Sequence, residues 1–423
     1  MLRHISIAIA ILAAPLAAQA QDVDSRAQDI LAAMQGTAGY ETVFDPVFTA
    51  QIPEAAFDEL TQQLEGQFGR LLAVEDVQAI NPTTATAKLR FERAVADGVF
   101  QLATEPPHRV VGFRVTGATP THDTAEALVA DVAALPGTAS VLITRLGNAA
   151  PMLEYNADRP LGIGSTFKLY VLSALAHEVA AGHRSWADVV PLTTRSYPSG
   201  VTQAWPQGAQ VTLHTLASLM ISISDNTATD QLIAVLGRDA VEAEVAASGH
   251  ADPQLLRPFM TTRELFVLKS AVGPDGTEVP RDYRAADADG RLRILEGLAE
   301  ASPSDEEVMA AFAGGPNAID VEWLASGEDL ANVMRRLAAL DDPTARQIMA
   351  INPAVTPTLA QDFSYVGYKG GSEPGVLGMS WLLQDRAGQW SVVSLGWNDP
   401  AAEVDLASFN ALAMRAISLA RGD

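Results

Sequence analysis

The chain has 423 residues, a formal net charge of −23 and no cysteine. So acidic a surface repels phosphate backbones and anionic headgroups, which excludes nucleic acid as a partner. The missing cysteines exclude disulfides, thiolate metal centres and lipidation at a cleavage-site cysteine.

In chain order, residues 1–20 read as an export signal. Arg3 supplies the charge, an apolar run over 5–16 is too short to span a bilayer, and Ala18-Gln19-Ala20 forms a small-residue cleavage site. The expectation is a periplasmic protein cleaved after Ala20, with no stable membrane insertion. Residues 21–118 read as a small N-terminal α+β domain. Helical periodicity covers 24–34 and 55–66, and strands are expected over 72–80, 84–93, 98–102 and 110–115, with Asp97-Gly98 as a turn between two of them. A small-residue stretch with a proline, 116–121, marks the boundary.

Residues 119–423 form the second domain. A helix is expected over 124–135 and a strand over 140–145, paired with 152–155. The stretch 165–181 is apolar almost all round (Phe167, Leu169, Val171, Leu172, Leu175, Val179) and closes at Gly182, the pattern of a buried central helix. Apolar helical runs cover 213–223 and 228–236. Three antiparallel strands are expected over 363–369, 376–384 and 389–397, with a closing helix over 405–421. The Gly-, Pro- and acid-rich stretch 273–318 reads as an exposed connector in preference to a flap over a site.

Three polar clusters sit where these elements begin or end: Ser165-Thr166-Phe167-Lys168, Ser224-Asp225-Asn226 and Lys369-Gly370-Gly371. Of 28 basic residues only four are lysine (Lys88, Lys168, Lys269, Lys369), and two of those fall inside the clusters. Arginine keeps its proton in proteins whereas a desolvated lysine can lose it, so amines are expected where a proton must move. Ser165 and Lys168 share a helix face at its positive end, where a neutral amine can take the hydroxyl proton and the helix terminus favours an oxyanion. Ser224 is expected to pass a proton towards the leaving group, Asn226 to offer its amide to a substrate carbonyl, and Asp225 to hold the turn. Lys369 supplies a positive charge at a strand end, and Gly371 lets the backbone approach closely, so that the N–H groups of Ser372 and Ser165 form an oxyanion hole.

Other signals carry less. Asp287, Asp289, Gly290 and Glu296 fit part of a calcium loop, but Ala285 and Arg293 occupy two ligand positions, so a solvated acidic turn is the reading. The seven histidines show no paired ligand spacing, and neither a metal nor a cofactor is expected. His177 reads as structural and Lys88 as a surface lysine. No G-x-S-x-G elbow surrounds any serine.

With these motifs in view, the chain resembles the serine β-lactamases and penicillin-binding proteins, whose signature is S-x-x-K, S-D-N and K-T-G. Gly164-Ser165-Thr166-Phe167-Lys168, the 59 residues from Ser165 to Ser224, and Ser224-Asp225-Asn226-Thr227-Ala228 resemble class A enzymes in particular. The resemblance implies a helical subdomain beside an antiparallel sheet flanked by helices, with the site between them. Two departures stand out. No Glu-x-x-Leu-Asn pentapeptide lies between Asn226 and Lys369, and Gly370 replaces the family's Thr or Ser. The two-domain layout with a reduced loop is similar to the serine hydrolase of the clavulanic acid cluster. That likeness implies a front domain like steroid isomerases, polyketide cyclases and nuclear transport factors, and esterase activity in the rear domain.

The expected function is an exported serine hydrolase acting through an acyl-enzyme on an ester, thioester or amide of a small carbonyl substrate. Catalysis falls to Ser165, Lys168, Ser224 and Lys369, and substrate binding to Asn226, Gly371 and Ser372. The alternatives are a class A β-lactamase or D-Ala carboxypeptidase, and a non-catalytic ligand-binding protein on the same scaffold. Oligomeric state stays open.

Overall fold

The computed structural model describes residues 15–121, 124–271 and 279–421. Most of the expected signal segment lies outside the described residues; its last part runs into a helix spanning Pro15–Met34. Among the described residues no helix is long and apolar enough to cross a membrane.

The chain divides into two compact units, 1–123 and 124–423. In the first, helices precede a four-stranded antiparallel meander in simple sequential order, Leu71–Asn81, Thr84–Phe91, Ala94–Leu102 and Val110–Pro120. Alternate residues of the middle strands turn inward onto Phe44, Phe57, Phe91 and Phe100, the period-two pattern of a sheet with one covered face. Register shifts in the first strand, one beside Asp76 at φ +48°, bend the sheet.

Two expectations fail here. Asp97-Gly98 is no turn: it lies inside the third strand, and the chain reverses at Glu92-Arg93. The alternation Ala94, Ala96, Gly98, Phe100 runs inward without a break, and Gly98 leaves room for Leu89 and Phe113, so the strand period overrides the dipeptide. Asp97 instead pairs across the sheet with Lys88. The 116–121 stretch is likewise strand as far as Pro120, which moves the division to 123/124.

In the second unit a five-stranded antiparallel sheet has the order Phe363–Glu373, Val376–Asp385, Trp390–Asn398, Thr138–Arg145, Leu153–Tyr155. Its second strand is buried on both faces. Leu377, Met379, Trp381 and Leu383 meet the helices Ala125–Ala133 and Leu406–Ala420. Leu382 turns to the opposite core, built around Lys168–Ala180, Leu213–Ser222 and Gly327–Ala338. The Lys168–Ala180 helix is buried along most of its length because it is apolar on every side.

The 273–318 stretch is not a plain connector. From 279 onwards it is largely helical, and its acidic run is a helix start: Ser304 and Glu307 form a capping box opening the helix Asp305–Phe312. Asp287 similarly caps Ala288–Gly297 through Gly290 N.

Phe44 is fully buried and stacks on Phe48 at 4.6 Å, with Phe57 edge-on at 4.9 Å. Phe44→Ala is expected to destabilise the first unit by about 3–5 kcal/mol. In urea the full chain should then show an early transition that leaves the second unit's near-ultraviolet signal in place.

Candidate active site

The turn that carries Ser165 begins at Gly164, with φ +48°, where a β-carbon would come within 2.8 Å of Ser372 N. Gly164–Phe167 forms a 3₁₀ turn that leads into the Lys168–Ala180 helix; the α-helix does not start at Ser165. Residues three apart eclipse in a 3₁₀ turn, so Ser165 and Lys168 still align. Phe167 anchors the turn, stacked on Trp323 at 3.6 Å and edge-on to Phe259 at 5.7 Å.

All three clusters meet here. Lys168 is fully buried, and its Nζ lies 2.6 Å from Ser224 O, 2.7 Å from Asn226 Oδ1 and 3.1 Å from Ser224 Oγ. Lys369 Nζ reaches the same Ser224 Oγ at 3.1 Å and donates to Gly370 O at 2.5 Å. Burial pushes the Lys168 amine well below the ordinary lysine value, and the neighbouring Lys369 charge pushes it further, against a partial pull from Asp230 and Asp225. Burial also lowers Lys369 to about 7. A neutral Lys168 has two hydrogens for two carbonyl acceptors, which leaves its lone pair for a hydroxyl. Ser165 Oγ has no hydrogen-bond partner among the described residues and lies open to the cavity.

Ser224 sits at φ +59° at the junction of two helices. Asp225 holds it there: its buried carboxylate caps the helix Asn226–Leu236 through Ala228 N at 2.8 Å. It also accepts from Val201 N at 2.7 Å, Thr202 N at 2.9 Å and Thr202 Oγ1 at 2.5 Å. Asn226 is buried too. Its Oδ1 accepts from Lys168 and its Nδ2 donates to Tyr197 O at 3.1 Å, so only its second N–H is free for a substrate.

Phe363–Glu373 is an edge strand, and it runs along the Ser165 turn. A β-carbon on Gly371 would overlap Ser165 N and Ile163 O, so only glycine permits this approach. Gly164 and Gly371 thus bring the backbones of Ser165 and Ser372 close together. Gly370 is bare for another reason: the Tyr368 phenol covers it.

The clusters do not reveal a second ionisable group on the same cavity. Lys269, buried, donates to Glu373 Oε1 at 2.5 Å. Glu322 accepts from Trp323 N at 2.9 Å and from Gly164 N. Burial and then the Glu373 charge push Glu322 up to about 8, opposed by Lys269. Asp230, buried beneath Thr262 and Arg263, is raised to about 6 by desolvation. The scarcity of lysine was a signal for Lys269; nothing local marks Glu322 or Glu373.

Glu322 and Glu373 line a cavity of about 1020 Å³ with Ser165, Ser224, Asn226, Lys369 and Gly371 also on its walls. Among the described residues no group of three or more metal-ligating side chains occurs.

A model of the β-lactamase enzyme family matches residues 123–377, more than half of the chain, which therefore belongs to that family of serine β-lactamase- and penicillin-binding-protein-like hydrolases. Among solved structures, one similar to it is a β-lactamase from Sphaerobacter thermophilus, with 25% identity, 70% of this chain and 94% of that one covered, and a TM-score of 0.42. PBP-A gives 18%, 70%, 93% and 0.47. A mutant of PBP-A in its acyl-enzyme complex with penicillin G gives 19%, 70%, 94% and 0.47. No curated protein sequence matches.

Two outcomes follow from this geometry. Gly371→Ala should reduce turnover at least about a hundredfold by displacing an oxyanion donor, with circular dichroism unchanged. Glu322, raised from 4.5 to about 8 on folding, contributes stability that is present below pH 4.5 and lost as pH rises through about 8. Glu322→Gln should therefore flatten the fall of the urea midpoint between about pH 5 and about pH 9.

Proposed function

We propose that the protein is an exported serine hydrolase that cleaves an ester, thioester or amide through an acyl-enzyme on Ser165. Ser165 Oγ attacks the carbonyl carbon while its proton passes to neutral Lys168, and the oxyanion settles between Ser165 N and Ser372 N. The proton then moves through Ser224 to the leaving heteroatom as the carbonyl–heteroatom bond breaks. Water hydrolyses the acyl-enzyme, releasing the acid and restoring Ser165. Asn226 holds the amine of Lys168 and offers its spare N–H to the substrate, while Lys369 keeps Ser224 oriented.

The observation that carries this reading is Ser224 Oγ standing 3.1 Å from each of two buried amines, both held below their ordinary range. A surface ion pair would not desolvate two lysines around one hydroxyl. Family membership favours a second reading of the same chemistry, hydrolysis of β-lactams or D-Ala peptides. The missing pentapeptide argues against fast β-lactam turnover.

Intact-mass analysis after a fluorophosphonate should show one adduct, on Ser165. Lys168→Arg, which cannot deprotonate, should lower kcat/KM for a simple ester by about 10²–10⁴-fold. No adduct would favour a binding protein. Nitrocefin opening as fast as cleavage of a 3′-acetyl cephalosporin ester would favour the β-lactamase reading, and release of D-alanine from a D-Ala-D-Ala peptide the carboxypeptidase.

A further inference from the structure

The cavity around Ser165 is far larger than its chemistry needs. At about 1020 Å³ it matches sites that enclose whole drug-sized ligands. Much of the wall comes from a segment that holds none of the three clusters. The helix Asp305–Phe312 packs through Val308 and Phe312 against Tyr197 and Val267. From the other side of that contact, Leu265 and Phe266 also face the cavity.

The rim is apolar as well. Ile223, Met309 and Leu406 are 44%, 60% and 58% exposed, and all three line the cavity. Scattered surface apolar residues need no explanation, but three lining one cavity make its exposed edge apolar.

Charge points the same way. Lys369 is the one cation among the described residues that line the cavity, and its amine is already engaged by Ser224 Oγ and Gly370 O. Against it stand three carboxyl groups, those of Glu306, Glu322 and Glu373. Lys269 answers only Glu373. Gly370 and Gly371 themselves add no polar side chain to this stretch of the edge strand.

Accepting Ser165 as the nucleophile, as the reading above requires, we propose that the cavity selects an uncharged carboxylic ester whose large apolar acyl group lies against Leu265, Phe266, Met309 and Phe312. The alcohol leaves with the relayed proton, the acyl group stays on Ser165 in contact with this wall, and water releases the fatty or aryl-alkyl acid. An anionic acyl group is rejected because its carboxylate would be desolvated against this apolar wall, where the one lining cation is already engaged.

The test uses the full chain and p-nitrophenyl esters with one leaving group throughout: acetate, butyrate, hexanoate and octanoate, with mono-p-nitrophenyl suberate as an octanoate analogue ending in a carboxylate. From acetate to octanoate kcat/KM should rise at least about tenfold, and the suberate ester should fall at least about tenfold below octanoate. Met309→Glu, at an exposed position, should raise KM for octanoate and flatten the series. Intact-mass detection of the Ser165 fluorophosphonate adduct runs in parallel. With the adduct present, a series that is flat or falls with length, or suberate equal to octanoate, overturns this inference and leaves the acyl-enzyme chemistry standing. With neither adduct nor turnover, both fall.

Discussion

Lys168 and Lys369 reach the same oxygen, Ser224 Oγ, one from the start of a helix and the other from an edge strand. Burying two amines side by side is unfavourable twice over, through lost hydration and through mutual repulsion. The surrounding architecture is arranged so that the amines lower their proton affinity and the fold survives. Carbonyl acceptors at Ser224 and Gly370 and the Asn226 amide oxygen take their hydrogens, and Asp225 and Asp230 lie near enough to temper the repulsion. Once that arrangement exists, a base is available for the alcohol of Ser165.

Holding it requires three distant segments to meet at close range, and glycine sets how close. Gly164 and Gly371 bring the Ser165 turn against the sheet edge, where a single methyl group would collide with backbone. Gly200 does the same for Asp225, whose carboxylate sits where a side chain at 200 would project. The rigid partners are the doubly buried strand Val376–Asp385 and the apolar helix Lys168–Ala180. At these three positions glycine lets neighbouring segments touch, which keeps the reacting groups from drifting apart.

Much of this is readable in the chain because the groups that act lie in short runs at element ends: Ser165 to Lys168, Ser224 to Asn226, Lys369 to Gly371. The buried helix and the three C-terminal strands announce themselves as apolar runs of the right length. The rest is hidden for physical reasons. Lys269, Glu322 and Glu373 are far apart in sequence and meet only through tertiary packing, so no spacing rule links them. Asp97-Gly98 looks like a turn because a dipeptide propensity is weaker than the inward alternation of a whole strand. The acidic stretch before Val308 looks solvated because carboxylates favour both water and the first turn of a helix, and composition alone cannot separate the two.

The helix Asp305–Phe312 has a consequence for the history of this scaffold. It contributes side chains to the chamber yet none to proton transfer, and it is secured by its own capping box and a small satellite cluster that leaves the main core alone. Changes there can reshape what enters without disturbing how bonds are broken. Selection therefore has a place to explore new diets while the reacting machinery stays fixed, and descendants of one ancestor can diverge in appetite long before they diverge in mechanism.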